Sequence, residues 1–442
     1  MARRLFGTDG VRGVAGEQLT AELMLGLGRA AVHQTQTERP QVLLIRDTRE
    51  SGEMLEAALA AGAAAAGGDV LVGGVLPTPA APMLLRRHGL DLAAVLSASH
   101  NPYRDNGVKF FAADGFKLSD EAEAAIELEL EVEGWAPASG DVRPIGRVRP
   151  IPDTEEEYLS GLHDRFVDLQ LEGLDVLLDC ANGATHRVAP EIFRRLGAGV
   201  STIAAAPDGR NINRGCGSTH VEALASRVLE GGHALGFAFD GDGDRVLAVD
   251  RTGAVVDGDE LLAIAAIHRH REGRLPGGGV AVTVMTNFGF HAAMAQAQIL
   301  VATTAVGDRY VLEELRKREW ALGGEQSGHL IDMAFNGSGD GIASALLTLE
   351  ALGGRDLAER DAMSKLPQRL VNVPVRDRNA LDRAGTVAEA VRGEQERLEG
   401  RGRVLVRPSG TEALVRVMVE APSGEEADAV CSRLVDLVRR TL

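Results

Sequence analysis

The strongest constraint on the fold is a pattern of secondary structure that the sequence repeats three times. Each copy has an apolar strand, a short polar loop, a helix and a second apolar strand. The first copy starts at residues 41–45, the second at 175–178 and the third, which is shorter, at 279–285. Because strands that alternate with helices pack into layers of sheet and helix, the repeat predicts three similar α/β units in a row.

The end of the chain departs from this pattern. We predict strands at 369–375, 403–406 and 413–420 and helices at 381–398 and 423–442. This segment is too small to be a fourth copy. It predicts a separate α+β domain that moves on a hinge near residues 365–370.

The length of the chain, 442 residues, exceeds what one hydrophobic core supports, so we expect several domains. The predicted domains are residues 1–150, 151–252, 253–367 and 368–442. Residues 137–153 are rich in proline, glycine and charge, and they are predicted to form a linker.

Composition excludes some classes of function. The net charge is −17 without a basic tract, which argues against nucleic-acid binding as the main activity. An anionic substrate must therefore meet a local group of arginines. The three cysteines, Cys180, Cys216 and Cys431, have no metal-binding spacing and are predicted to be reduced. With neither a leader pattern nor a membrane-spanning run, the sequence predicts a soluble, cytoplasmic protein.

A candidate nucleophile follows one of the predicted strands. Residues 92–96 are apolar and stop abruptly at Ser-Ala-Ser-His-Asn-Pro. The pattern predicts a buried strand that delivers the hydroxyl of Ser99 to the edge of a sheet. Ser99 stands beside His100 and ten residues before Lys109, so it could be an activated nucleophile. An ordinary polar turn explains these residues equally well.

Three carboxylates alternate with glycine directly after another apolar run: Asp240, Asp242 and Asp244. Carboxylates so close repel one another unless a divalent cation lies among them, and oxygen-only ligands suit Mg²⁺ or Ca²⁺. An EF-hand is excluded because Arg245 stands where that loop needs glycine and Arg251 where it needs glutamate. The pattern favours a metal site over the alternative, a solvated acidic turn.

Glycines also bracket a polar set within residues 323–329. Glu325, Ser327 and His329 offer a carboxylate, a hydroxyl and an imidazole, which together could hold sugar hydroxyls. A tight polar turn is the alternative interpretation.

A possible phosphate cradle links two predicted strands near the end of the chain. Residues 407–411 read Arg-Pro-Ser-Gly-Thr, and Arg416 lies further along the second strand. Backbone N–H groups, two hydroxyls and a forked guanidinium suit a phosphate, although a plain hairpin turn is the alternative. A nucleophile, a metal loop, a sugar loop and a phosphate cradle together fit phosphoryl transfer on a phosphosugar.

These loops, in this order, resemble those of the α-D-phosphohexomutase family. The matching stretches are 97–102, 240–245, 324–329 and 407–411. The start of the chain (6–13), residues 208–213 and 306–310, and Gln326 resemble the amino-sugar members of the family. Members specific for glucose or mannose phosphates more often carry methionine at the position of Gln326. The resemblance implies three similar mixed-sheet α/β domains plus a smaller C-terminal α+β domain, heart-shaped around a central cleft.

The resemblance also implies an activity. It is the interconversion of glucosamine 6-phosphate and glucosamine 1-phosphate through a phosphoserine enzyme and a 1,6-bisphosphate intermediate. This reaction would feed synthesis of UDP-N-acetylglucosamine and the cell wall. The alternative is the same mechanism on glucose or mannose phosphates. A hexose 1,6-bisphosphate activator and a homodimer are implied as well, with no nucleic-acid or membrane partner.

Roles for single residues follow from the same resemblance. Ser99 would carry the phosphate, one oxygen of which would join Asp240, Asp242 and Asp244 in holding one Mg²⁺ per subunit, while Ser97 supports the loop. The other residues implied in catalysis are Arg12, His100, Lys109, Arg245 and His329. Those implied in substrate binding are Glu325, Ser327, Arg407, Ser409, Gly410, Thr411 and Arg416. Either Lys109 or His329 would handle the hydroxyl proton.

Overall fold

The computed structural model of the chain describes residues 5–7, 9–133, 144–398, 400–409 and 413–442. The chain divides into two units. The first comprises the residues up to Met285 together with Ile299–Arg360, and the second comprises Thr286–Gln298 and Asp361–Leu442.

The first sheet of the first unit has seven strands in the order β1-β2-β6-β5-β3-β4-β7. The strands are β1 (Phe6–Gly7), β2 (Gly10–Val14), β3 (Gln41–Arg46), β4 (Asp69–Val75), β5 (Leu92–Leu96), β6 (Asp105–Ala112) and β7 (Val148–Pro150). The helices are α1 (Ala21–His33), α2 (Gly52–Ala65), α3 (Ala80–His88) and α4 (Asp120–Glu133). Strands β5, β3, β4 and β7 run parallel, whereas β6 lies antiparallel beside β5. Strand β5 is buried along its whole length, as expected for a strand covered on both faces.

The second sheet has five strands in the order β12-β11-β10-β8-β9. Its strands are β8 (Asp175–Asp179), β9 (Gly199–Ile203), β10 (Leu235–Phe239), β11 (Val246–Asp250) and β12 (Val255–Val256). The helices of this part are α5 (Thr154–Arg165), α6 (Val188–Arg195) and α7 (Glu222–Gly231). Strand β8 is parallel to β9 and β10, and β10 then pairs antiparallel with β11. The β10–β11 connection therefore leaves the sheet at the carboxyl end of a buried strand.

The third sheet has four strands in the order β14-β13-β15-β16. Its strands are β13 (Gly279–Thr283), β14 (Leu300–Thr304), β15 (Leu322–Gly324) and β16 (Leu330–Asp332). The helices of this part of the chain are α8 (Gly258–Arg271), α9 (Phe288–Gln296), α10 (Asp308–Arg318) and α11 (Gly341–Leu352), of which α9 belongs to the second unit. Strand β13 is parallel to β14 and β15, and β15 pairs antiparallel with β16. A capping box between Asp257 and Glu260 starts α8.

The second unit contains a three-stranded antiparallel sheet in the order β17-β19-β18. Its strands are β17 (Gln368–Pro374), β18 (Arg403–Pro408) and β19 (Leu414–Glu420), and its remaining helices are α12 (Gly385–Leu398) and α13 (Gly424–Thr441). Helix α13 begins at the N-cap Ser423 and packs a face of buried apolar residues into the core of this unit.

The predicted fold class is confirmed. The described residues form three mixed sheets with helices, as in α/β domains, and a smaller antiparallel sheet with helices, as in an α+β domain. The predicted linker at 137–153 is corrected in part. Val148–Pro150 forms strand β7, which pairs with β4 and lies at the edge of the first sheet, while residues 134–143 lie outside the described ranges. Among the described residues, no helix has both the length and the apolar character that crossing a membrane requires.

Candidate active site

The Ser99 loop follows strand β5 and lies in the interior of the first unit. The side chain of Ser99 is buried, and its backbone φ of 51° lies in the left-handed region, which costs a residue other than glycine about 1–3 kcal/mol. Its Oγ donates a hydrogen bond to Asp240 Oδ2 at 2.5 Å and lies 3.3 Å from His100 Nδ1. The fold therefore aims this hydroxyl at the acidic loop of the second sheet.

The acidic loop connects β10 to β11. Asp240, Asp242 and Asp244 are buried, and one carboxylate oxygen of each lies within 4.8 Å of the others. The Oδ1 atoms of Asp242 and Asp244 are buried without a hydrogen-bond partner. Buried carboxylate oxygens need a donor or a cation. These three residues therefore fit a divalent metal ion.

The pKa values of Asp240 and Asp244 reflect the charges that surround these two carboxyl groups. Burial, and then the charges of Asp244 and Asp242, raise the pKa of Asp240 well above its ordinary value. Burial also opposes ionisation of Asp244, but Lys109 and His329 outweigh it and hold the pKa of Asp244 well below its usual range. A bound divalent cation would stabilise all three in the ionised form.

Lys109 supplies the main positive charge beside the acidic loop. Its side chain is 1% exposed, and its Nζ lies 3.0 Å from Asp242 Oδ2, 3.2 Å from Asp9 Oδ2 and 3.5 Å from Asp244 Oδ2. Burial alone would lower the pKa of Lys109, but the three carboxylates raise it well above its ordinary value. Lys109 therefore stays protonated and compensates the acidic groups.

Lys117 forms a second group of ion pairs, which Asp9 connects to Lys109. Lys117 Nζ lies 2.6 Å from Asp9 Oδ1 and 2.6 Å from Asp308 Oδ2. Asp9 also pairs with Arg12, one of the two arginines implied in catalysis. Sequence reasoning assigned no role to Lys117, Asp9 or Asp308. The available signal was that Lys117 is one of only four lysines in a chain with 47 basic residues.

The predicted sugar loop lies between β15 and β16. His329 is buried, with Nδ1 3.6 Å from Asp244 Oδ2 and Nε2 3.8 Å from Asp308 Oδ2. Burial lowers the pKa of His329, but Asp244 and Asp308 raise it above its ordinary value. Glu325 is half-buried and accepts a hydrogen bond from the backbone N–H of Gly307 at 3.0 Å, whereas Ser327 is exposed.

Gln326 was predicted to mark the amino-sugar members of the family. Its side-chain amide donates to Asp257 Oδ2 at 3.2 Å, and Asp257 is the N-cap residue of α8. Gln326 therefore fastens the predicted sugar loop to the start of α8.

Backbone contacts join the acidic loop to its two neighbours. Val246 N–H donates to Gly328 O at 3.0 Å, and Gly341 N–H donates to Gly243 O at 2.9 Å. A Cβ atom added to Gly328 would collide with Val246 O, and one added to Gly341 would collide with Arg245 O. The absence of side chains at these two glycines lets the acidic loop, the sugar loop and the start of α11 touch directly.

Asp340, the N-cap residue of α11, is a buried carboxyl group next to these contacts. Its side chain accepts from Ala343 N–H at 2.9 Å and from Tyr158 Oη at 3.0 Å, and burial raises its pKa to about 6. A folded-state pKa above the unfolded value stabilises the protein below about pH 4, and the stabilisation is lost as pH rises through 6.

We therefore expect Asp340→Asn, which cannot ionise, to remove this pH dependence. Between pH 4 and pH 7 the wild type should lose stability relative to the variant by about 2 kcal/mol. Thermal unfolding midpoints of both proteins across this range measure the difference, with Asp168→Asn, an exposed carboxylate, as the control. Parallel curves for the wild type and Asp340→Asn would contradict the expectation.

The predicted phosphate cradle belongs to the second unit. Arg407 of β18 lies directly opposite Arg416 of β19, and Ser409 N–H donates to Leu414 O at 2.9 Å. Burial and the neighbouring charge of Arg416 lower the pKa of Arg407. Two adjacent guanidinium groups favour an anion. Gly410 and Thr411, the other predicted cradle residues, lie outside the described residues.

Four sequence profiles match the chain in order. They describe the phosphoglucomutase/phosphomannomutase α/β/α domains I, II and III, at residues 3–135, 156–253 and 257–370, and the C-terminal domain of the same family, at 370–437. The chain belongs to the phosphoglucomutase/phosphomannomutase family. The resemblance found in the four loops is thereby confirmed.

Individual relatives of this family cover nearly the whole chain. The phosphoglucosamine mutase of Moorella thermoacetica is 51% identical over 98% of this chain and 98% of its own. That of Desulforudis audaxviator is 50% identical over 98% of this chain and 97% of its own. The crystal structure of a phosphoglucomutase/phosphomannomutase family protein from Burkholderia thailandensis shares the fold, with a TM-score of 0.82 at 23% identity over 99% of this chain and 96% of the other.

Proposed function

We propose that the protein is a phosphoglucosamine mutase, which interconverts glucosamine 6-phosphate and glucosamine 1-phosphate. The observation that carries the proposal is the hydrogen bond from the buried Ser99 Oγ to Asp240, 2.5 Å long, which joins a nucleophile to an acidic triad. Relatives named phosphoglucosamine mutase that are about half identical over nearly the full chain support the choice of sugar.

Asp240, Asp242 and Asp244 would hold Mg²⁺ together with one oxygen of a phosphate on Ser99. When bound, Mg²⁺ would neutralise charge on the phosphoryl group during transfer. The two buried Oδ1 atoms that lack hydrogen-bond partners support this ligand set.

The transfer itself exchanges one P–O bond for another. The bond between phosphorus and Ser99 Oγ breaks as a bond forms to the sugar O1. A protein base takes the hydroxyl proton of O1, and Ser99 Oγ takes up a proton. The product of this step is glucosamine 1,6-bisphosphate. After the sugar turns around, the bond between phosphorus and the sugar O6 breaks as a bond forms to Ser99 Oγ. Ser99 Oγ gives up its proton, O6 takes up a proton, and glucosamine 1-phosphate is released. Arg12, Lys109 and Arg245 provide positive charge around the transferring group, and His100 supports the serine.

Lys109 and His329 are the two groups that could exchange the hydroxyl proton. Lys109 already compensates three carboxylates, whereas Nε2 of His329 is buried without a hydrogen-bond partner. This difference favours Lys109 as a fixed charge and His329 as the group that exchanges the proton.

In this proposal each predicted domain contributes one part of the active site. Residues 1–150 supply the serine, 151–252 the metal loop, 253–367 the sugar loop and 368–442 the phosphate cradle. Glu325 and Ser327 hold ring hydroxyls in both orientations of the sugar, and the phosphate that is not reacting meets the cradle. A hexose 1,6-bisphosphate would activate the enzyme by phosphorylating Ser99. A cytoplasmic homodimer that feeds UDP-N-acetylglucosamine synthesis completes the proposal.

The proposal is tested by comparing kcat/KM on glucosamine, glucose and mannose 6-phosphates. We expect a preference for glucosamine of about 100-fold, because the charged amino group of this sugar makes a stronger, charge-assisted hydrogen bond than the neutral hydroxyl that replaces it in glucose and mannose. Equal or higher values on glucose or mannose phosphates would favour the alternative, a phosphoglucomutase/phosphomannomutase. Binding of all three without turnover would exclude a mutase of either kind.

A further inference from the structure

Arg49 is a buried guanidinium group under the Ser99 loop, and no motif of the sequence pointed to it. Its side chain has no solvent exposure. Its guanidinium nitrogens donate to four backbone carbonyls of one loop: Ser99 O, Asn101 O and Asp105 O, each at 2.9 Å, and Pro102 O at 2.5 Å. One side chain therefore fixes the path of the backbone from the serine to the end of its loop.

Asp47 links Arg49 to a second set of hydrogen bonds that also reaches Ser99. Its Oδ2 accepts from Arg49 Nε at 2.8 Å and from Ser97 Oγ at 2.6 Å. Ser97 Oγ in turn accepts from the backbone N–H of Ser99 at 2.9 Å. Both the N–H and the carbonyl of Ser99 are therefore bonded to groups that the Asp47–Arg49 ion pair holds in place.

These contacts bear on the one strained residue of the loop. Ser99 keeps a left-handed backbone, φ 51°, which a serine adopts only where its surroundings fix it. A rotation of this backbone would carry Oγ away from Asp240. Asn213 also donates to Ser99 O, at 2.8 Å, but it contacts neither the N–H of Ser99 nor Ser97.

We propose that Arg49 is a positioning residue for phosphoryl transfer: paired with Asp47, it holds Ser99 in its left-handed conformation and so sets Oγ against the acidic triad. The inference rests on the proposed mutase function. A guanidinium is required because its five donors lie in one plane and can meet the carbonyls and Asp47 together. Lysine has three donors on one atom and cannot reach all of these acceptors.

The test compares Arg49→Lys with Arg269→Lys. Arg269 is also buried and pairs with both oxygens of Asp332, away from the Ser99 loop, so it controls for the loss of a buried arginine–aspartate pair. Arg49→Lys should lower kcat for glucosamine 6-phosphate about 100-fold, because a misplacement near 1 Å is enough for such a loss. KM should stay within about threefold, since sugar and phosphate contacts lie on other loops, and Arg269→Lys should keep the wild-type kcat.

Equal kcat values for Arg49→Lys and Arg269→Lys, measured well below both unfolding midpoints, would overturn the proposal. If Arg49→Lys does not fold, Ser97→Ala removes one hydroxyl from the same chain of bonds and should lower kcat about tenfold at unchanged KM. A wild-type kcat in Ser97→Ala would then overturn it.

Crystal structures of these variants separate this proposal from the proposed function. An undisturbed left-handed Ser99 with Oγ still bonded to Asp240 in both Arg49→Lys and Ser97→Ala would refute the positioning role, whatever the enzyme's substrate. A wild type without mutase activity, in contrast, would refute the proposed function, while a displaced Ser99 in the variants would still support the role of Arg49.

Discussion

Ser99→Ala is expected to abolish mutase turnover and to leave the fold intact. Without Oγ, no phosphoserine forms, and loss of a nucleophile costs at least about 10⁴-fold in kcat. The fold should persist because the backbone of residue 99 keeps its bonds to Arg49, Ser97 and Asn213. Steady-state kinetics with glucosamine 6-phosphate measures the first effect, and the thermal unfolding midpoint measures the second.

Intact-mass spectrometry adds a measurement that does not depend on the substrate. The wild type should carry one phosphate and Ser99→Ala none. Ser344→Ala is the matched control, because Ser344 is another buried serine whose hydroxyl donates only to a backbone carbonyl, Asp340 O at 2.6 Å. Turnover above about a tenth of the wild-type rate in Ser99→Ala, or a phosphate retained on that variant, would rule out Ser99 as the phosphate carrier.

Lys109→Met should produce the second largest loss. Among the described residues, Lys109 is the only cation that pairs with Asp242, and it also pairs with Asp9 and Asp244. Its removal takes away the fixed charge that we propose to face the transferring phosphoryl group, so kcat should fall about 100- to 1000-fold. Stability should fall too, by about 3–5 kcal/mol, because buried carboxylates lose their partner.

A measurement of Mg²⁺ binding shows whether the lower kcat of Lys109→Met comes from the missing positive charge or from damage to the metal site. Lys109 and a divalent cation are attracted to the same carboxylates, so Lys109→Met should bind Mg²⁺ at least as tightly as the wild type in titration calorimetry. Lys317→Met, whose side chain is 75% exposed, is the control and should match the wild type in every measurement. A kcat within threefold of wild type in Lys109→Met, or Mg²⁺ binding ten times weaker, would count against the assigned role of Lys109.

Much of the fold could be predicted because it depends on local patterns. Apolar runs such as residues 92–96 and 236–239 are buried on both faces, so their strands and the polar loops after them were readable from the sequence. Strand β7 was missed because Val148–Pro150 is exposed along its whole length and pairs only with β4. A short exposed edge strand with proline carries the same composition as a linker.

The predicted site residues were visible where several polar residues follow one strand, as in the acidic loop. Asp9, Lys117 and Asp308 were not, because they come from three distant segments that only the fold brings together. Arg49 was missed for a different reason. It lies in a polar loop, residues 46–51, and nothing in the sequence shows that its side chain turns inward.

The direct backbone contacts between the acidic loop, the sugar loop and the start of α11 have a consequence for redesign of substrate preference. Gly328 and Gly341 leave no side chains between these segments that could be repacked to absorb a change. If the predicted sugar loop alone were replaced by that of a glucose- or mannose-specific relative, a different backbone conformation in the new loop would collide with the backbone of the acidic loop. The practical unit of exchange is therefore a cassette of all three segments, moved together.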